Sequence, residues 1–358
     1  MTGKLKKDID REIKVFLADI DKKYGLRRIS PLLSYGINDF LMRPGKRIRP
    51  ILFILAYEGY SGKSNIPRRE LIRTSLSIEF LHDFLLIHDD IIDRSELRRG
   101  RLALHKLFDQ KLGISSAAGI GSGLGIVAGD IVYAFAIESF LACGETPMKK
   151  EKALKELIGT TILTGTGEFI DITGGLKSID RISRKEIFDI YALKTAKYTF
   201  EGPMRIGAAL AGAKTPELNK LSRLGGILGR AFQVLDDMLD IFMSSKNTGK
   251  PVLSDLSELK KTLLVREAYH RLDKASARIF KRLFEKKKKT KHDLERLKKM
   301  ITGTEAPRYC LNMVNALLDE AGKAISKLKM KKEQKRAIAS LVEDLRTKTG
   351  EVEQSVRD

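Results

Sequence analysis

Two short stretches of the sequence, Asp89-Asp90-x-x-Asp93 and Asp236-Asp237-x-x-Asp240, each crowd three carboxylates into five residues. On an α-helix, residues four apart lie on nearly the same face. Asp89 therefore projects with Asp93 and Asp236 with Asp240, while Asp90 and Asp237 flank them about 100° round. Each motif ends an apolar run, FLHDFLLIH before Asp89 and AFQVL before Asp236, so the carboxylates ride on helices anchored in a core. Three acids so close repel one another and resist burial, which calls for a cation among them. Hard oxygen ligands on a pair of helices suit Mg²⁺, which keeps several waters and shares its coordination with substrate phosphates.

The residues that accompany the motifs are basic. Arg98, Arg99 and Gly100 follow the first motif, Lys194 precedes Thr195 in an otherwise apolar stretch, and Gly249-Lys250 and Lys260 follow the second. Near the N-terminus lies Gly45-Lys46-Arg47-Ile48-Arg49-Pro50. Acid clusters and basic groups sharing one cavity describe a diphosphate held through bridging metal on one side and by direct ion pairs on the other.

The elements that must carry these groups read as helices. Among 358 residues there are 9 prolines and no tryptophan, 42% of residues are hydrophobic, and apolar residues recur three and four apart over long stretches. Amphipathic patterns run through 4–24, 31–42, 48–60, 68–92, 123–143, 150–174 and 184–211. Further ones cover 216–243, 257–285, 289–300, 305–326 and 331–348. The expectation is an all-α fold in one helical domain, with a motif-bearing core over about 31–262 and a basic helical layer over 263–358.

Between Lys111 and Glu138 the only charged residue is Asp130, a run of membrane-spanning length. Residues 113–129 contain six glycines, and Asp130 would sit deep in lipid, so a buried helix preceded by a glycine-rich loop is the better reading. The two cysteines, Cys143 and Cys310, are too few for a disulfide framework and read as buried apolar residues. The charged first residues, MTGKLKKDIDREIK, hold no apolar stretch of signal-peptide length, which points to the cytoplasm.

A formal net charge of +21 invites a nucleic-acid reading, but no binding motif or aromatic stacking platform accompanies it. The dense run Lys286 to Lys289 reads as a solvated face. The excess of lysine also suits an anionic substrate or peripheral contact with anionic lipid heads.

Taken in order, GKRIRP, HDDIIDRSELRRG, AGD at 128–130, KT at 194, FQVLDDMLD, GK and ELKKT resemble the trans-isoprenyl diphosphate synthases, over about Gly45 to Thr262. That resemblance implies an isoprenoid-synthase helical bundle with a deep central cavity. It also implies a homodimer that elongates allylic diphosphates (dimethylallyl, geranyl, farnesyl) with isopentenyl diphosphate, using three Mg²⁺ ions per active site. By matching position, Asp89, Asp93, Asp236 and Asp240 would hold Mg²⁺, with Asp90 and Asp237 in support. Arg98, Lys194 and Lys250 would grip the allylic diphosphate. Gly45, Lys46, Arg49, His82 and Arg99 would bind isopentenyl diphosphate, with Lys260 a further substrate contact. Thr195 and Gln233 would shelter a carbocation with oxygen dipoles, and His88 would orient Asp89. Two positions depart from the pattern: Glu168 stands where the family often has Gln, in GEFID with Asp171 retained, and Leu259 replaces a common Gly before Lys260.

Product length should be set beneath the first motif, where Phe84 lies five residues and Leu85 four residues before Asp89. An aromatic at the fifth position alone resembles the archaeal type of geranylgeranyl diphosphate synthase and implies a C20 product, against farnesyl or C25 and longer alternatives. A class I terpene cyclase would lack the intact second aspartate motif, and a non-catalytic subunit of a heteromeric synthase would usually lose one or both.

Overall fold

The computed structural model describes residues 2–62, 66–243 and 253–357, and they are almost entirely helical. In chain order the helices are α1 (Thr2–Tyr24), α2 (Leu26–Ile29), α3 (Pro31–Leu41), α4 (Ile48–Tyr60) and α5 (Arg68–Ile92). A two-stranded hairpin, β1 (Leu97–Arg98) and β2 (Arg101–Leu102), separates α5 from α6 (Leu104–Leu112) and α7 (Ile120–Leu141). Then come α8 (Pro147–Gly175), α9 (Arg184–Ile190), a wide-turned segment Tyr191–Glu201, α10 (Gly202–Leu210) and α11 (Thr215–Phe242). The remaining helices are α12 (Ser254–Ser257), α13 (Leu263–Arg271), α14 (Lys274–Phe284), α15 (Lys291–Thr302), α16 (Ala306–Ser326) and α17 (Lys332–Arg357).

The chain divides into two compact units. The first comprises Met1–Ile158, Pro203–Leu218 and Met330–Ala337. Its centre is α5, which packs against α1, α4 and α7. Phe80 of α5 stacks 4.8 Å from Phe16 of α1 and 6.3 Å from Phe135 of α7, an aromatic cluster that ties three helices together. α4 is buried along nearly its whole length, from Pro50 to Tyr57.

The second unit comprises Gly159–Gly202, Asn219–Lys329 and Ile338–Asp358. α11 buries Leu221, Leu224, Leu228, Ala231, Leu235 and Met238, spaced at three and four residues. α13 packs on α14, α15 and α16. Ser183 with Glu186 and Thr290 with Asp293 form reciprocal caps that satisfy the first amides of α9 and α15.

Residues 104–112, which none of the amphipathic patterns covered, form α6. Three expectations need correction. The glycine-rich loop is confined to residues 113–119, because α7 already begins at Ile120. α7 is also not buried all round: Ile126, Val127 and Leu141 stand exposed. Among the described residues α7 is the helix long and apolar enough to cross a membrane by length and composition. The stretch 257–285, read as one helix, breaks at Leu272, after which Asp273 accepts from the amides of Ala275 and Ser276 and starts α14. Both cysteines are free and buried, as expected.

Candidate active site

Both aspartate motifs lie at the C-terminal ends of long helices, where unsatisfied carbonyls already concentrate negative charge. Carboxylates there are disfavoured unless cations approach. In the first unit Asp89 and Asp93 remain accessible on one face of the end of α5. Asp90 turns inward and is fully buried, and burial pushes its carboxyl upward against the pull of Arg98. Arg98 serves this motif from β1: its Nε donates to Asp90 Oδ1 at 2.7 Å, and its Nη2 donates to Asp89 Oδ2 at 3.2 Å.

The hairpin that presents Arg98 is pinned from below. Buried Arg43 donates to the carbonyls of Arg98, at 3.1 Å, and Leu102, at 2.8 Å, while pairing with Asp39 at 2.7 Å. Neighbouring Arg99 adopts a left-handed backbone with φ 53° and reaches Asp83. In the GKRIRP stretch the side chains divide. Lys46 is exposed and Arg49 half-buried, whereas Arg47 is buried, pairing with Glu79 at 2.7 Å and Asp10 at 2.9 Å. Arg47 is thus a structural anchor between two residues assigned to substrate. His82 is buried one turn from this cluster, and burial with Arg49, Arg99, Arg98 and Arg47 nearby drives its imidazole far down, so it is neutral at physiological pH.

Phe84 is half-buried on α5, its ring 5.2 Å from Tyr133 of α7 and 4.6 Å from His88. Leu85 beside it is also half-buried. His88 does not orient Asp89 as expected. It turns to α7, where Nε2 lies 3.3 Å from the carbonyl of Ile126 and 3.6 Å from Asp130, because Gly129 leaves room for the ring.

In the second unit the segment Tyr191–Glu201 carries Lys194 and Thr195 on turns wider than an α-helix, a local irregularity common at functional sites. Glycines let neighbouring helices crowd it: a Cβ on Gly167 of α8 would lie 2.5 Å from the Lys194 amide nitrogen, and one on Gly229 of α11 would lie 2.1 Å from Ala196 Cβ. Lys194 Nζ pairs with Asp171 at 2.8 Å and with Glu168 at 2.9 Å, so Glu168 adds a second carboxylate to this lysine.

A hydrogen-bonded chain joins the other predicted residues. The Thr195 hydroxyl donates to Gln233 Oε1 at 2.7 Å, and Gln233 Nε2 donates to Asp237 Oδ1 at 2.8 Å. The Tyr191 hydroxyl donates to Asp237 and accepts from the Leu263 amide at 2.8 Å. Burial, then the neighbouring Asp255, raises the Asp237 carboxyl well above its ordinary range. Asp237 is therefore an internal support, and Asp236, exposed on the same turn, is the one turned outward. Asp240 accepts from Ser254 Oγ at 2.6 Å and from the amides of Ser254, at 3.2 Å, and Asp255, at 3.1 Å, so the start of α12 fixes its carboxylate.

Lys260 pairs with Glu258 at 2.8 Å, and Leu259 before it has φ 63°. A glycine is favoured at such a position because a side chain costs energy in the left-handed region, so Leu259 carries local strain. Lys250 lies outside the described residues.

Among the described residues no three of His, Cys, Asp and Glu gather closely enough to hold an ion unaided. Mg²⁺ takes one or two carboxylates and completes its shell with water and phosphate oxygen. At each helix end by itself, outward carboxylates fit an ion that arrives with a diphosphate. Sequence reasoning missed Glu79, Asp83, Tyr191 and Tyr133. Each sits in an apolar pattern and acquires a role only from partners distant in the chain.

Comparisons with known proteins give the family of the chain. The profile of the polyprenyl synthetase family matches residues 30–301. A short chain isoprenyl diphosphate synthase of Methanothermobacter thermautotrophicus is 31% identical over 262 residues, covering 73% of this chain and 72% of the relative. A geranylfarnesyl diphosphate synthase of Natronomonas pharaonis is 31% identical over 251 residues, covering 66% and 69%. Among solved structures, the geranylgeranyl pyrophosphate synthase of Corynebacterium glutamicum, complexed with isoprenyl diphosphate and magnesium, superposes with a TM-score of 0.88. It is 24% identical, over 96% of this chain and 98% of that one, a likeness of fold.

Proposed function

Because the chain belongs to the polyprenyl synthetase family and is a trans-isoprenyl diphosphate synthase, we propose that it condenses isopentenyl diphosphate with allylic diphosphates in a Mg²⁺-dependent reaction and forms mainly the C20 product, geranylgeranyl diphosphate. The observation that carries the chain-length reading is Phe84, a half-buried aromatic five residues before Asp89, with Leu85 rather than a second aromatic following it.

Asp89, Asp93, Asp236 and Asp240 would hold Mg²⁺, three ions per site, with Asp90 and Asp237 fixing their turns. When bound, the metal neutralises the departing diphosphate and lets the allylic C–O bond ionise. Arg98, Lys194 and Lys250 grip that diphosphate by direct ion pairs. Thr195 and Gln233, ordered by the hydrogen bonds to Asp237, turn oxygen dipoles toward the allylic cation. Lys46, Arg49 and Arg99 orient isopentenyl diphosphate, with Gly45 leaving room and neutral His82 beside it. The isopentenyl double bond attacks the cation, and the proton lost passes to the released diphosphate. No protein base is needed.

We further propose a cytoplasmic homodimer, with Lys-rich surfaces touching membranes only peripherally. Ile126, Val127 and Leu141 of α7, exposed beside Asp130, offer apolar contacts to a second copy, and light scattering of the purified chain reads the assembly. The test of activity is incubation with labelled isopentenyl diphosphate, each allylic primer and Mg²⁺, followed by product-length analysis. Condensation to C20 that stops on chelation is expected. A dominant C15 or C25 product overturns the chain-length reading, and full turnover in chelator overturns the metal.

A further inference from the structure

Two carboxylates of α5 have no part in the mechanism above, yet they are among the most deeply buried charged groups of the first unit. Glu79 is 2% exposed and Asp83 not at all, and they stand one turn apart. Arg47 Nη1 donates to Glu79 Oε1 at 2.7 Å, and Arg99 Nη2 donates to Asp83 Oδ1 at 3.4 Å. Glu79 Oε2, Asp83 Oδ2 and Arg99 Nη1 make no hydrogen bond. Buried ion pairs with incomplete hydrogen bonding are poor stabilisers, so stability does not account for this arrangement.

The arginines they hold are unusual. Arg47 and Arg99 both occupy the left-handed backbone region, with φ 54° and 53°, a conformation that costs a bulky residue about 1 kcal/mol or more. The backbone beside Arg99 is fixed independently, since Arg43 binds the carbonyls of Arg98 and Leu102. Asp83 is the carboxylate that fixes the Arg99 side chain. Arg49, Arg47 and Arg98 cluster nearby and would push an unrestrained guanidinium away.

We propose that Asp83 is a positioning residue for isopentenyl diphosphate: it aims the Arg99 guanidinium at the diphosphate, while Glu79 pins Arg47 and so the turn that presents Lys46 and Arg49. This rests on the reading of Lys46, Arg49 and Arg99 as the isopentenyl diphosphate contacts. A buried carboxylate behind Arg99 also cancels part of its field. With four arginines around it, however, the site has charge in surplus, and order is the quantity in short supply.

Asp83 is faced by Glu79 on its own helix, next to His82 in the chain, by Arg47 and Arg49 at the start of α4, and by Arg99 from the hairpin. Burial, and then Glu79, push its carboxyl up to about 7, against the opposing pull of the arginines. His82 stays neutral across that range. On the acid side Asp83 loses its charge and loosens Arg99.

The test compares wild type, Asp83→Asn, Arg99→Gln and the double variant by steady-state kinetics between pH 6 and pH 8.5. Asp83→Asn should raise KM for isopentenyl diphosphate about tenfold, the worth of one hydrogen bond to a charged group, with kcat and the allylic KM changed less than about twofold. The double variant should be no worse than Arg99→Gln. Wild-type KM should fall as pH rises through about 7, beyond the substrate ionisation seen with Arg99→Gln, and that inflection should vanish in Asp83→Asn. If Arg99→Gln leaves the isopentenyl KM unchanged, the assignment of the site is wrong and the proposal goes with it. If Arg99→Gln raises it but Asp83→Asn leaves it level or lowers it, the site stands and Asp83 does not position it. Should Asp83→Asn not fold, the wild-type pH profile decides alone, and the lack of an inflection overturns the proposal.

Discussion

Replacing Phe84 by Ala should lengthen the product by one isoprene unit. α5 rises about 1.5 Å per residue, so Phe84 lies about 7.5 Å along the axis from Asp89, and the next aromatic on that face, Phe80, lies about 6 Å further on. Four carbon–carbon bonds of an extended isoprene unit project to about 5 Å, so the space down to Phe80 admits one unit and not two. Phe80 will not yield, because it is fully buried and packed 4.8 Å from Phe16. Tyr133, whose ring lies 5.2 Å from Phe84, flanks the opened space, and its rotation decides how freely the longer chain enters. Loss of a half-buried ring should cost about 1 to 3 kcal/mol of stability, so the variant should remain folded. Products made with farnesyl diphosphate and labelled isopentenyl diphosphate, dephosphorylated and separated by reversed-phase chromatography, should shift from C20 to mainly C25. Phe84→Ala, Tyr133→Ala should go further. An active Phe84→Ala enzyme with an unchanged C20 profile would refute the floor and the geometry behind it.

Other expectations follow from single contacts. Glu168→Gln removes one of the two carboxylates that hold Lys194, and because these groups are partly exposed the allylic KM should fall only about two- to fivefold. An equal or higher KM would mean that Glu168 does not compete with substrate. Tyr191→Phe strips Asp237 of a donor and the Leu263 amide of its acceptor, which should cost about 1 to 3 kcal/mol in thermal unfolding and lower kcat by disordering Gln233. Full stability with full activity would remove Tyr191 from the support of the site. Asp83, raised to about 7 from an ordinary 3.8, binds its proton more tightly in the folded chain, so its contribution to stability declines as pH rises through that window. Asp83→Asn should therefore be more stable than wild type at pH 8, by up to a few kcal/mol, and no more stable at pH 4. A melting difference that does not change with pH would contradict this.

Much of the scaffold was legible because long helices advertise themselves: α5 spans 68–92 as its apolar periodicity requires, and α4 spans 48–60. The glycine-rich stretch misled for a physical reason. A Cβ on Gly121 would meet the His105 carbonyl oxygen at 2.3 Å, so these glycines serve a close helix approach inside α7 rather than a loop. That neighbour, α6, was itself unread, being a short helix with polar residues between its buried ones, entered from the hairpin. The outward aspartates and basic satellites were legible from type and spacing. Their supports were not, because Asp83, Glu79 and Tyr191 look like stray polar residues in apolar runs until Arg99, Arg47 and Asp237 are brought to them.

The wide-turned segment Tyr191–Glu201 also bears on how this chain tolerates change in length. Its turns hold one residue more than α-helical turns, so it carries slack that an ordinary helix lacks. Removing a single residue there can be absorbed by tightening to α-helical turns, with the ladder of backbone bonds preserved. The two ends of the segment then turn relative to each other, so Tyr191 and Thr195 lose their phase with Asp237 and Gln233. A deletion between Thr195 and Glu201 should accordingly give a chain with native helicity by circular dichroism and no prenyl transfer, whereas the same deletion within α11 should unfold the helix it interrupts. In this helix, length can vary where catalysis cannot.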